Sequence, residues 1–237
     1  MSFFGELYLR STRPYLTASE TRAEAEFIAR ELALTKTTRT LDVGCGHGRH
    51  LELLHGRCAL VGFDLDPASL AQIPVPLRAR VVRGDFYAPP FGPTFDAAFA
   101  WYATLFISNS DERNVDALRA VAGVLKPGGK LLVHGHNPVS QRRAGESRFE
   151  AKLEDGGSLV EETWYDASHN LLHLHRRLAD GARVIEANFA VRCPTIEDHA
   201  EWAREAGLAV EATWGDAQGT PYGQGSPDLI VRYRRLG

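Results

Sequence analysis

Apolar residues in the first half of the chain follow two spacings, one typical of buried strands and one typical of amphipathic helices. Short, largely apolar runs predict five strands, over residues 39–43, 59–65, 80–83, 95–100 and 130–134. Ala23, Phe27, Ile28 and Leu32 recur at helical spacing and predict a helix over residues 19–34. Alternating strands and helices favour a parallel sheet, in which ligands bind beyond the carboxyl ends of the strands.

Cap residues indicate where two later helices begin and end. Ser110 is placed to cap a helix over residues 111–125, and the Lys-Pro-Gly-Gly turn at 126–129 stops that helix. Thr195 begins another helix, which Gly207 ends. Both helices lie beside predicted strands and extend the α/β pattern.

The second half of the chain changes to an antiparallel pattern. Residues 158–165, 171–179 and 183–192 alternate apolar and polar positions and are separated by turn residues. They predict a three-stranded meander with one wet face, inserted as a flap. Residues 208–214 and 228–233 predict the last two strands, which complete the main sheet as an antiparallel edge pair.

These elements predict one domain over residues 1–237 with a Rossmann-like α/β fold. The main sheet has seven mostly parallel strands with helices on both faces, and a small antiparallel β insertion follows strand five. The expected segments are an N-terminal lid and helix at 1–35, a cofactor-binding core at 36–135, the insertion at 150–193, and the C-terminal helix and last two strands at 194–237.

Composition and charge argue against several classes of protein. The 237 residues are 44% hydrophobic and 24% charged, with a net charge of -3 and no basic stripe, so a nucleic-acid partner is not expected. No long apolar segment predicts a membrane span or a signal peptide, and we expect a cytoplasmic protein. Cys45, Cys58 and Cys193 are too widely spaced for a disulfide framework or a zinc site.

A glycine-rich turn follows the first predicted strand. Gly44, Gly46 and Gly48 lie where a strand gives way to a helix, and glycine there permits a positive φ and close approach of the backbone to a ligand. The spacing is G-x-G-x-G, which differs from the G-x-G-x-x-G of dinucleotide-binding proteins. Asp42 precedes the turn, and its carboxylate either orders the loop through backbone N–H groups or contacts the ligand itself.

Two further carboxylates end the next strands. Asp64 lies about 20 residues beyond the turn, where a carboxylate can accept two hydrogen bonds from ribose hydroxyls. Asp85 ends the third strand and is placed to accept a hydrogen bond from an exocyclic amine, while Phe86 or Leu65 covers a ring. The three carboxylates at successive strand ends favour a ligand that contains adenosine.

This combination of motifs resembles the class I S-adenosylmethionine-dependent methyltransferases over about residues 20–135. The matching features are the Asp42–Gly48 turn, Asp64, Asp85 and the turn at 126–129. The resemblance implies that S-adenosyl-L-methionine is the cofactor, with S-adenosyl-L-homocysteine as the product. It places the glycine loop at the methionine part, Asp64 at the ribose, and the later residues around adenine. The residues implied at the cofactor are Asp42, Gly44, Cys45, Gly46, Asp64, Leu65, Asp85, Phe86 and Trp101.

The resemblance also suggests which residues face the methyl acceptor. Trp101 and Tyr102 follow the fourth strand, in the segment that faces both cofactor and substrate in this family. The insertion resembles that of enzymes acting on small molecules, including amines of sugars or amino acids. Lid residues would come from the N-terminal segment, and the candidates there are Tyr8, Tyr15 and Thr21. We therefore predict direct methyl transfer to a nitrogen or oxygen atom of a small molecule.

Histidine spacing raises the question of a base or a metal. Tyr102 and His136 are the candidate catalytic residues, and either His134 or His136, at the end of strand five, could act as a base. A base would matter more for an oxygen acceptor than for an amine. His134 shares a strand face with His136, and His173 shares one with His175, but neither pair has a cysteine or acidic cluster nearby, so no metal is expected. The alternatives are an NAD-dependent oxidoreductase or a non-enzymatic protein that binds an adenosine cofactor.

Overall fold

The computed structural model describes residues 5–153 and 156–237 as eleven strands, seven α-helices and short 3₁₀ turns. The strands are β1 (Arg39–Val43), β2 (Ala59–Asp64), β3 (Val81–Arg83), β4 (Phe95–Ala100), β5 (Leu125–His136), β6 (Ser147–Lys152), β7 (Ser158–Asp166), β8 (Leu171–Asp180), β9 (Arg183–Arg192), β10 (Leu208–Trp214) and β11 (Asp228–Arg235). The helices are α1 (Glu6–Ser11), α2 (Ala18–Glu31), α3 (Arg49–Leu54), α4 (Pro67–Leu70), α5 (Asp111–Val124), α6 (Pro138–Ala144) and α7 (Ile196–Glu205).

Seven strands form the main sheet in the order β10-β11-β5-β4-β1-β2-β3. Strands β1 to β5 are parallel, whereas β11 runs antiparallel to both of its neighbours, β5 and β10. The predicted mostly parallel seven-stranded sheet is confirmed. The last two strands form the expected antiparallel pair at one edge of the sheet, with β10 outermost and β11 between β10 and β5, and β3 forms the opposite edge.

Helices cover both faces of this sheet. On one face, α5 and α7 bury Val115, Leu118 and Trp202 against strand residues. On the other, α2 and α3 contribute a second cluster that includes Phe27 and Leu51. Burial on both faces explains why the central strands are apolar runs without polar alternation.

The helix caps follow the sequence closely. Thr17 and Glu20 close a capping box at the start of α2, and the side chain of Ser110 accepts from the backbone of Arg113 at the start of α5. Helix α2 ends at Glu31 rather than near residue 34, since Ala33 adopts a left-handed φ of 52° that a helix cannot contain.

Two strands differ from the prediction. β5 begins at Leu125, before the Lys-Pro-Gly-Gly turn, because Leu125 already pairs with Phe95 of β4. The insertion has four antiparallel strands in the order β6-β7-β8-β9 rather than three, and it starts at Ser147 rather than at residue 150. Strand β6 is exposed at nearly every residue, so it lacks the alternation that revealed the other three.

The insertion packs against the N-terminal helix. Leu178, Ile185 and Ala187 on one sheet face form a small core with Leu7 of α1. No helix in the described part of the chain is both long and apolar enough to cross a membrane.

Candidate functional site

The glycine turn after β1 has an open side toward the ligand. Gly44, Gly46 and Gly48 have φ values of 69°, 55° and 83°. A Cβ added at Gly44 would collide with the Thr104 side chain, whereas one added at Gly46 would meet only the Tyr8 hydroxyl, at 3.9 Å. The loop is therefore rigidly fitted on its inner side and accessible on its outer side, as close binding of a ligand requires.

Asp64 at the end of β2 holds this turn in place. Its two carboxylate oxygens accept hydrogen bonds from the backbone N–H groups of Gly46 and Asp66, both at 2.8 Å. Burial raises the pKa of Asp64, and the backbone hydrogen bonds oppose that rise. The contact with Gly46 spans two neighbouring strands and was not foreseen from the sequence.

Asp42 provides a test of whether these residues fit the methionine end of S-adenosylmethionine. Its side chain is 2% exposed, and Oδ2 has no hydrogen-bond partner in the part of the chain that the structure describes. Burial raises the pKa of Asp42 to about 8, and the nearby charge of Asp64 adds to the effect. A buried carboxyl oxygen without a partner beside the glycine turn fits a ligand that supplies a hydrogen-bond donor, such as the amino group of the methionine part.

The residues expected at the adenine lie at the neighbouring strand ends. β2 and β3 are parallel neighbours, so Asp64, the last residue of β2, and Asp85, two residues beyond the end of β3, lie at the same edge of the sheet. The backbone N–H of Tyr87 donates to Asp85 Oδ1 at 2.9 Å, and the rings of Phe86 and Tyr87 lie 4.6 Å apart. Leu65 is 59% exposed, and this edge is open to a flat ring.

The segment after β4 turns sharply and presents one aromatic ring. Trp101 is 5% exposed and packs among Phe27 and His134, whereas Tyr102 is 49% exposed. Tyr102 and Ala103 both have left-handed φ values, 63° and 57°. Two such residues in succession store strain, and a hydrogen bond from the Ala103 N–H to the His134 carbonyl helps to hold the turn.

His134, His136 and Asp228 form a polar group beside Tyr102. His134 Nε2 lies 3.5 Å from Asp228 Oδ2, and the Tyr102 and His134 rings are almost parallel, with centroids 6.3 Å apart. Burial, together with the charge of His134, lowers the pKa of His136 to about 4. The sequence did not point to Asp228, because its partner lies on another strand.

Helix α1 lies between the glycine turn and the insertion. The Tyr8 ring lies 6.2 Å from the His47 ring in the turn, and burial raises the pKa of Tyr8 to about 12. On the other side of α1, the buried guanidinium of Arg176 donates to Ser11 and contacts Glu161 of β7. This connection between insertion and helix has no sequence signal.

The other two lid candidates lie elsewhere. Tyr15 is exposed and packs edge-on against Phe149 of β6. Thr21 is buried and accepts a hydrogen bond from Arg49 at 3.1 Å. Of the three, only Tyr8 approaches the glycine turn.

A buried charge cluster, also missed from the sequence, fixes α2 to the start of α3. Glu24 of α2 contacts Arg49 and lies 2.9 Å from His50 Nε2. Burial alone would raise the pKa of Glu24, but the hydrogen bond from His50 and the charge of Arg49 lower it to about 2. The cluster anchors the helix that follows the glycine turn.

The second histidine pair lies away from this region. His173 and His175 project from the outer face of the insertion, where His173 stacks on Trp164 and His175 contacts two glutamates. Within residues 5–153 and 156–237, no three histidine, cysteine or acidic side chains are grouped so that they could hold a metal.

Comparisons with known proteins agree on one fold and one domain type. A family model described as a methyltransferase domain matches residues 40–129. The cypemycin N-terminal methyltransferase of a Streptomyces species is 29% identical in an alignment of 203 residues that covers 82% of each chain. The CcbJ methyltransferase of Streptomyces caelestis superposes with a TM-score of 0.76 at 24% identity, covering 92% of this chain and 90% of that one.

A third relative was solved with S-adenosylmethionine bound. It is CalS10, an amino pentose methyltransferase from Micromonospora echinaspora, with a TM-score of 0.68, 21% identity and 99% coverage of both chains. At this identity the likeness concerns the fold, and it extends through the insertion as well as the main sheet.

Proposed function

We propose that this chain, an S-adenosylmethionine-dependent methyltransferase with a methyltransferase domain over residues 40–129, methylates an amine nitrogen of a small molecule. The observation that carries the proposal is the group formed by Tyr102, His134 and Asp228 at the strand ends next to the glycine turn. A carboxylate and an imidazole beside an exposed aromatic ring suit a cationic amine better than a neutral hydroxyl.

The proposed cofactor residues lie at successive strand ends, and each strand end would contact a different part of the cofactor. The turn at Gly44 and Gly46 would hold the methionine part, Asp64 the ribose, and Asp85 with Phe86 the adenine. When bound, S-adenosylmethionine supplies an electrophilic methyl group, so the protein needs to align a nucleophile and exclude water. Tyr8 covers the open side of the turn and contributes to that exclusion.

We propose that Tyr102 lines the acceptor site. The strained turn holds its ring toward the solvent side of the strand ends, while Trp101 anchors the same turn in the core. His136, the other candidate from the sequence, is a weak base here because burial lowers its pKa to about 4. It suits a shaping role better than proton transfer.

The acceptor class follows from chemistry and from the names of the relatives. One relative is named an N-terminal methyltransferase and another an amino pentose methyltransferase. We propose that this chain takes an acceptor of the same kind, an amino sugar or a short peptide with a free N-terminus. The insertion and the loop over residues 219–227 would set which one.

The test is a transfer assay with three probes: trialanine, glucosamine and catechol. The protein is incubated with S-adenosylmethionine, and each probe is followed by mass spectrometry. We expect one added methyl group on trialanine or glucosamine and none on catechol. Transfer to catechol alone would show an oxygen acceptor, and binding of S-adenosylmethionine without transfer to either amine would contradict the proposal.

A matched pair of variants connects the activity to the site. Asp64→Ala should abolish transfer, because the residue holds the glycine turn and would bind ribose. Asp116→Ala should leave it unchanged, since Asp116 lies exposed on α5 and pairs with Arg119 one turn along the same helix.

A further inference from the structure

We propose that His134 accepts the proton that the acceptor amine must lose before methylation, and that Asp228 positions His134 for this step. The inference rests on the proposed function, because only an amine that is protonated in solution has such a proton to give. It assigns roles to two side chains of the antiparallel strands β5 and β11, outside the glycine turn and its carboxylates.

Strand pairing brings the two side chains together. In the β5–β11 ladder, His136 lies opposite Asp228 and His134 lies opposite Ile230. Opposite residues share a sheet face and so do residues two apart, which makes His134 and Asp228 diagonal neighbours on one face. Their facing atoms, Nε2 and Oδ2, are 3.5 Å apart.

This arrangement leaves one nitrogen of His134 available as a base. When the ring proton is on Nε2, the nitrogen 3.5 Å from Asp228, the lone pair is on Nδ1, which is buried and has no hydrogen-bond partner among the residues that the structure describes. The His134 side chain is 9% exposed, whereas that of Asp228 is 28% exposed. A proton taken up by the buried ring therefore has an exit to water past the more exposed carboxylate.

The surroundings distinguish His134 from the other nearby histidines. His136 and His50 are neutral, since burial lowers the pKa of each to about 4. His50 is already engaged with Glu24, and Tyr102 lies beside His134 as an uncharged ring. His134 differs from both histidines in pairing one ring nitrogen with Asp228 while the other has no hydrogen-bond partner among the described residues.

The proton balance of the reaction requires such a base near neutral pH. An α-amine with a pKa of about 8 is mostly an ammonium ion there and has no lone pair with which to attack. The amine gives one proton to His134, and its nitrogen lone pair then forms the new N–C bond. The S–C bond breaks with its electron pair remaining on sulfur, and His134 releases the proton to water.

The experiment compares trialanine methylation by His134→Asn at about pH 6.5 and about pH 9.5. We expect kcat to fall by about 100-fold at the lower pH with little change in KM. At the higher pH, where the probe is already neutral, the loss should shrink to less than about fivefold. His173→Asn, on the outer face of the insertion, is the matched control and should match the parent protein at both values.

Asp228 gives a second test that does not depend on the stability of the buried variant. Asp228→Asn should show the same pH-dependent loss in weaker form, and Asp228→Glu should restore most of it. The affinity for S-adenosylhomocysteine, measured by calorimetry, should be unchanged in all variants. This result would show that the fold and the cofactor site remain intact.

Three outcomes would overturn the inference. An equal loss at both pH values would indicate a purely structural role for His134. Full activity of both His134→Asn and Asp228→Asn would show that neither residue takes part. If the parent protein methylates neither amine probe while binding the cofactor, the proposed function fails, and the inference fails with it.

Discussion

The two sheets of this molecule use their faces in different ways. Helices cover both faces of the seven-stranded sheet, and its central strands β1 and β4 are buried at almost every residue. The four-stranded insertion packs one face against α1, while its other face carries charged and aromatic side chains in contact with water. The first sheet presents mainly backbone and carboxylates at its edge, and the second presents side chains.

This difference separates two tasks. Cofactor binding depends on turns whose backbone angles are fixed by buried strands, so few residues in those turns can be substituted without loss of binding. The insertion can vary its outer face without disturbing those turns. Its inner face is the exception, because Arg176 connects it to α1 and so to the open side of the glycine turn.

The largest effect is expected in the main sheet, at Gly44. The new methyl group of Gly44→Ala would meet the Thr104 side chain, at a φ of 69° that L-residues avoid. Affinity for S-adenosylhomocysteine, measured by calorimetry, should fall by about 100-fold. Gly56→Ala is the control, since a Cβ there meets no atom within 4 Å, and an equal loss in both variants would contradict the assignment.

An intermediate effect is expected where the two sheets are connected. Arg176→Met leaves Glu161 without its buried partner and removes the hydrogen bonds to Ser11 and Thr12. Affinity for S-adenosylhomocysteine should fall by about tenfold, although Arg176 lies on the insertion. Arg177→Met is the matched control, because Arg177 projects from the opposite, exposed face of β8. Unchanged affinity in Arg176→Met would show that the contacts of Arg176 with α1 do not affect cofactor binding at the glycine turn.

The smallest effect is expected on the outer face of the insertion. Hydrogen bonds to Glu162 and Glu186 raise the pKa of His175 above its ordinary value. A histidine whose pKa is higher in the folded than in the unfolded protein stabilises the fold at pH values below its unfolded pKa, near 6.5. This stabilisation is lost as the pH rises through the pKa of the folded state. His175→Gln should therefore lower the Tm by at most about 2 °C near pH 5.5 and leave the Tm unchanged above about pH 8.5.

The control for this last prediction is His173→Gln. Its ring stacks on Trp164, so this variant removes an imidazole from the same face while leaving the His175 contacts with Glu162 and Glu186 in place. Loss of methyl transfer in His175→Gln would show that the two faces of the insertion are not independent.

Local signals predicted the main sheet well. The bounds of β1, β4 and β10 agree with the apolar runs in the sequence, and Ser110 and Thr195 cap their helices as expected. These features depend on hydrophobic runs and on capping contacts within three residues, which a single sequence displays directly.

The rest depended on contacts between distant segments. Asp64 could be placed at a strand end, but its hydrogen bond to Gly46 requires the register of two strands. Arg176 and Asp228 resemble many other charged residues until the fold brings their partners near. The strain at Tyr102 is equally invisible, since neither Tyr102 nor Ala103 belongs to a residue type that favours a positive φ.

The position of β11 between β5 and β10 has a consequence for how the chain is made. During synthesis, β5 emerges with Leu131 and Val133 before the insertion and α7 exist, and β11, which pairs with its outer edge, emerges after both. Until then the growing sheet presents a long apolar edge that can pair with other chains. A chain cut before Asp228 would keep that edge open, and we expect such a fragment to aggregate during expression.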